Sequence, residues 1–130
     1  MTLFEIIGLY VALNSVLLVI LTYRVGTVRL KEKIYLGSDD NFRLQKRVRA
    51  QGNYIEYAPI ALIGLFMLAC LNAVPLVLHL FGAGFLIGRI LHAVGMDTKN
   101  ALGKGRKIGM IITILALIGQ AATILFLIFI

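Results

Sequence analysis

Apolar residues dominate four stretches of the chain, at 3–22, 54–74, 75–96 and 108–130, and polar residues collect between them. A helix rises about 1.5 Å per residue, so each stretch is long enough to cross a hydrocarbon core about 30 Å thick. The pattern predicts an all-α integral membrane protein, a single domain over residues 1–130 whose four transmembrane helices form a bundle. The second connection, 72–75, is almost nothing, which makes the second and third helices an antiparallel hairpin. Pro75 suits a first helical turn, where its missing amide hydrogen has no partner to lose. Upstream of the second stretch, "NFRLQKRVRAQGNYIEY" (41–57) contains no breaker except Gly52, and Asp39, Asp40 and Asn41 are candidate N-caps. The second helix is therefore expected to start near residue 41 and to project beyond the bilayer.

Charge gives this arrangement a direction. The chain is 60% hydrophobic and 15% charged, with a net charge of +7, a balance foreign to soluble globules. All 13 Lys and Arg lie at 24–49, at Arg89 or at 99–107. Cations sorted into alternate connections are a topology signal, which argues against nucleic acid as a partner. The positive-inside rule puts the basic loops in the cytoplasm and both termini on the other side. "MTLFEIIGLY" lacks a basic signal-peptide head and reads as a retained first span. The single cysteine, Cys70, sits in an apolar run and reads as core filling. Gly84 with Gly88, and Gly105 with Gly109, are pairs four residues apart that let membrane helices approach closely.

Some polar residues sit too deep for a plain membrane helix. Arg49, Asn53 and Glu56 share one helical face, with Tyr57 at its edge, and this stripe climbs about 10 Å from the cytoplasmic interface into the membrane. A carboxylate at that depth is costly unless it meets a partner, a polar cavity or a ligand. On the third helix Arg89 and His92 are three apart, and Arg89 lies at a depth matching Glu56. Two expectations stand. One is a direct Arg89–Glu56 ion pair. The other is a cytoplasm-facing pocket for a zwitterionic or polyanionic small molecule, with arginines on its carboxylates and Glu56 on its ammonium. His79 and Glu5 read as interfacial, and Lys31, Lys33 and Arg43 as solvated or at lipid headgroups. No metal-ligand spacing, nucleophile elbow or phosphate loop is present, so no metal is expected.

The stretch "RAQGNYIEYAP" (49–59) resembles the Arg-Ala-x-x-Asn-x-x-Glu-Tyr-x-Pro signature of the MAPEG family, membrane-associated proteins in eicosanoid and glutathione metabolism. Four spans, a long basic first connection and "GRILHAVGM" (88–96) also fit, and the pattern is most similar to small bacterial members, hence a bacterial inner membrane. The resemblance implies a homotrimer with glutathione, the co-substrate, between helices of adjacent subunits near the cytoplasmic side. By position it implies that Arg49, Asn53, Glu56 and Tyr57 hold glutathione, Glu56 on its amine and Arg49 on a carboxylate. Gln51 and Arg29 fall at the glycyl end, and Arg89 and His92 complete the binding set. Arg106, in "GKGRKIGM", matches the family arginine thought to stabilise the glutathione thiolate. His92 and Met96 stand where well-studied members carry tyrosines. The implied activity is conjugation of the thiolate to lipophilic electrophiles arriving from membrane lipid, with peroxidase activity as related chemistry. The alternatives are a non-catalytic lipid-binding or scaffold protein of the same fold, and a small multidrug exporter. An exporter needs a carboxylate deep in the first helix, whereas Glu5 lies at its end.

Overall fold

The computed structural model describes residues 1–38 and 40–130. Four α-helices follow one another, α1 (Leu3–Glu32), α2 (Phe42–Cys70), α3 (Pro75–Met96) and α4 (Lys104–Phe129), with no strand among the described residues. All four are long and apolar enough to cross a membrane, and they pack as a four-helix bundle.

Local chemistry sets the helix ends. Thr2 and Glu5 form a capping box at the start of α1, each taking the other's backbone N–H. Asn41 caps α2 by accepting from the Leu44 amide at 2.9 Å. Of the other candidate caps, Asp40 precedes the cap and Asp39 lies outside the described residues. Hydropathy marks only the lipid-crossing part of α1, and the helix itself continues past Thr22 to Glu32. This overhang packs on the start of α2 through Val25, Val28 and Leu44, with Ile34 and Val48 at the margin.

The helices alternate in direction. The Tyr10 hydroxyl meets His79 Nδ1 at 3.0 Å, joining the starts of α1 and α3, while Gly95 near the end of α3 lies on Arg106 near the start of α4. Both termini are thus at one end and both basic connections at the other.

α3 and α4 form the tightest pair. A Cβ placed on Gly95 would meet the backbone of Gly105 at 2.6 Å, one on Gly105 would meet the Leu91 carbonyl at 2.7 Å, and one on Gly88 would meet the Gly109 carbonyl at 2.9 Å. The two backbones touch, which only glycine permits. Of the anticipated glycines, Gly88, Gly105 and Gly109 lie on this seam, whereas Gly84 makes an ordinary contact with Ala116. Seen from α4, the buried residues are only Gly109, Thr113, Ala116 and Gln120, one narrow stripe.

Several buried polar groups within the bundle are matched, whereas Arg47 Nε is buried without a hydrogen-bond partner. Tyr54 donates to the Asn14 carbonyl at 2.8 Å, Asn14 Nδ2 to the Tyr10 carbonyl at 2.8 Å, and Gln120 Nε2 to the Ala61 carbonyl at 3.1 Å. Cys70 is not core filling. It ends α2 on an exposed face, because the buried stripe there runs through Leu65, Leu68 and Ala69.

Candidate functional site

The seven-residue spacing of Arg49 and Glu56 brings their side chains together along two turns of α2, with Arg49 Nη1 donating to Glu56 Oε1 at 3.0 Å. Asn53, between them, donates its Nδ2 to Glu56 Oε2 at 3.3 Å. Its Oδ1 accepts from Arg89 Nη1 of α3 at 2.7 Å. Arg89 Nε in turn donates to Thr113 Oγ1 of α4 at 3.0 Å, and the Thr113 hydroxyl donates to the Gly109 carbonyl at 2.8 Å. One unbroken line of hydrogen bonds therefore crosses three helices. The direct Arg89–Glu56 ion pair is replaced by an amide bridge. Equal depth brought the two residues near each other, but Asn53 occupies the space between them and satisfies both.

A cavity of about 630 Å³ opens beside this line, where α2, α3 and α4 converge at the end that carries the basic connections. Arg49, Asn53, His92 and Arg106, four of the residues singled out in the sequence, lie on its walls. Arg89 stands behind the wall, and Tyr57 lays its ring over the Arg89 guanidinium at 5.3 Å. Glu56 is on the outer face of α2, 49% exposed, outside the cavity lining. Gln51 turns the other way and donates to Thr22 Oγ1 of α1 at 2.7 Å. Arg29 closes its own loop, donating to the carbonyls of Ile34 and Gly37 at 3.3 and 2.8 Å.

Met96, Leu102, Lys107, Met110 and Ile111 complete the cavity. Lys107, Met110 and Ile111 read in isolation as ordinary interfacial and lipid-facing residues of α4. For Met110 and Ile111 the one signal is register: they directly follow Gly109, so the glycine seam carries them to the cavity. The lining is cationic at Arg49, Arg106 and Lys107, polar at Asn53 and His92, and sulfur-rich and apolar at Met96, Leu102, Met110 and Ile111. Such a surface suits an anion with a soft or lipophilic part. No group of three or more His, Cys, Asp or Glu suitable for a metal occurs among the described residues.

The lip of the cavity is fixed by a second polar cluster. Asp97, just past α3, pairs with Arg24 of α1 and lies 3.7 Å from Arg47 Nε of α2. Lys46 donates to the Thr98 carbonyl at 2.7 Å, and Arg47 Nη1 to the Arg24 carbonyl at 2.8 Å. The 97–103 loop is thereby tied to both overhanging helices. Ala101, in the left-handed region at φ 56°, turns its carbonyl to accept from Arg106 Nη1 at 3.0 Å. A loop that is itself tied down thus positions the Arg106 guanidinium at the cavity mouth.

The chain is 30% identical over 111 residues to the inner membrane protein YecN of Escherichia coli strain K12, covering 85% of this chain and 83% of that protein. The YecN of Escherichia coli O6:H1 strain CFT073 matches with the same figures. No solved structure matches the chain. The MAPEG family profile matches residues 7–126, which include α2, α3, most of α1 and α4, and every residue that lines the cavity. With that much of its length inside the profile, the chain belongs to the MAPEG family.

Proposed function

We propose that this protein is a membrane-bound, glutathione transferase-like enzyme of a bacterial inner membrane. It joins the glutathione thiolate to lipophilic electrophiles, with the basic connections facing the cytoplasm. The observation that carries the reading is the convergence of Arg49, Asn53, His92 and Arg106 on one cavity whose volume lies within the range that holds small ligands, roughly 300–1,000 Å³. Arg49 takes a carboxylate of the tripeptide, and Glu56, beside Arg49 on the outer face of α2, takes its ammonium. Arg106 favours the thiolate from the mouth. The free thiol has a pKa of about 8.5, and a fall of two units corresponds to about 2.7 kcal/mol. The thiol proton leaves to water. The sulfur lone pair then forms the new carbon–sulfur bond, and the electrophile's leaving group departs with its bonding pair. Electrophiles partition into lipid and reach the sulfur laterally.

A homotrimer fits this reading. Arg49 and Glu56 are 63% and 49% exposed on a membrane helix, and a second copy covering that face would remove an ion pair from contact with lipid. One observation favours a non-catalytic member of the fold. Both Glu56 oxygens already accept hydrogen bonds, from Arg49 and Asn53, so the stripe is satisfied without a ligand.

Calorimetric binding of reduced glutathione to the detergent-purified protein, followed by conjugation to a chlorinated nitroarene, separates the two. The transferase reading expects the parent to bind and react, Glu56→Gln to bind about tenfold more weakly through loss of one charged contact, and Arg106→Ala to bind but react slowly. Absence of both binding and reaction in the parent rejects it in favour of the non-catalytic reading. Equal binding by Glu56→Gln removes the role given to Glu56.

A further inference from the structure

Arg89 is 1% exposed, and every group it touches is neutral. Its Nη1 bonds Asn53 Oδ1, its Nε bonds Thr113 Oγ1, and the Tyr57 ring lies over it. The ion pairs among the described residues join Glu56 to Arg49, and Asp97 to Arg24 and Arg47, leaving no carboxylate for Arg89. A buried guanidinium without a counter-ion is costly, and more so at membrane depth.

Its third nitrogen is the weakest point. Nη2 donates to Met110 Sδ at 3.7 Å, and a thioether is a poor acceptor. Met110 also lines the cavity. A methionine side chain is unbranched and readily changes rotamer. One movable side chain therefore separates the cavity from a cation that lacks an anion.

We propose that Met110 is a placeholder, and that the thiolate sulfur of the bound ligand displaces its thioether and takes the Arg89 Nη2 donor. The inference rests on the glutathione reading and adds a second thiolate-binding guanidinium on the inner side of the cavity. The exchange is sulfur for sulfur at a donor that already holds one. Charge strengthens it, because attraction between unit charges scales inversely with the local dielectric. Arg106 and Lys107 border solvent, whereas Arg89 does not. No covalent bond forms in this step: the thiol proton passes to water at the mouth, and the negative charge left on sulfur faces Arg89.

The test is an ultraviolet titration of the thiolate in the detergent-purified protein saturated with reduced glutathione. Met110→Leu conserves volume and is well tolerated in cores. It removes the competing sulfur, so the bound thiol should titrate about half a unit lower than in the parent, roughly a threefold gain in thiolate below the midpoint. Arg89→Gln should cut the thiolate about tenfold, but it also disturbs Asn53 and Thr113, so Met110→Leu is the decisive variant. S-methylglutathione, which has no thiolate, should bind parent and Met110→Leu alike. If glutathione binds and both proteins titrate identically, the placeholder is wrong while the binding reading stands. If the parent does not bind glutathione, the functional reading fails and this inference with it.

Discussion

The two ends of the cavity's framework are held by opposite means. Along the α3–α4 seam the helices meet backbone to backbone at Gly88, Gly95, Gly105 and Gly109, with almost no side chain between them. At the overhang of α1 and α2, contact is made by Val25, Val28 and Leu44 and by arginines converging on Asp97. Side chains can shift rotamer to absorb a change, whereas touching backbones cannot. The seam therefore sets where Arg89, His92 and Arg106 stand, and the overhang sets how firmly the loop beside them is held. Damage to the seam should abolish geometry and function together, and damage to the overhang should separate them.

The sharpest test is Gly95→Ala. Its Cβ would collide with Arg106 and Gly105 backbone atoms, so α4 must move outward. Thermal unfolding in detergent should show a loss of about 3 kcal/mol or more, and glutathione binding should vanish with it. Leu44→Ala comes next. Leu44 is fully buried, and its truncation should cost about 3 kcal/mol by the same measurement. Binding of glutathione at low temperature should nevertheless persist, and its loss would break the contrast between the two regions. Asn53→Leu removes the amide that joins Arg89 to Glu56. It should lower stability by about 2 kcal/mol, because buried donors of a charged group lose their acceptor, and should abolish binding measured by calorimetry. Asp97→Asn should have the smallest effect, below about 1 kcal/mol, since its pairs are partly exposed and salt-screened. The difference from parent should shrink as salt is added. A salt-independent loss would mean that Asp97 acts through shape rather than charge.

The contrast also explains what could be read in advance. Hydropathy and the shortness of the connection between Asn72 and Pro75 disclosed four helices and their alternating direction, because lipid thickness and connection length act on the sequence directly. The Arg49, Asn53 and Glu56 stripe was legible for the same kind of reason, since their spacing belongs to a single helix. Relations between helices were harder. Depth placed Arg89 level with Glu56, but lateral position decides what lies between, and Asn53 lies there. Gly95 escaped notice because its seam partner on α3 is Gly88, two turns away, rather than a glycine one turn away. Met110 and Lys107 carry no individual mark of a cavity wall. Asp97 is the only acidic residue beyond Glu56, and its role as a shared partner depends on two helices overhanging to meet it.

The narrowness of the α4 stripe bears on how the chain is assembled. α1, α2 and α3 approach one another pairwise, whereas α1 and α4 make no close backbone approach among the described residues. For a chain threaded into a membrane from its N-terminus, three helices can assemble before the fourth arrives. During that interval Arg89 has Asn53 but lacks Thr113 and Met110, which belong to the helix still to come. The buried cation is thus a vacancy held open for α4, and the glycines of the seam are the address at which it docks. Biogenesis would finish the cavity last, with the same step that completes the coordination of Arg89.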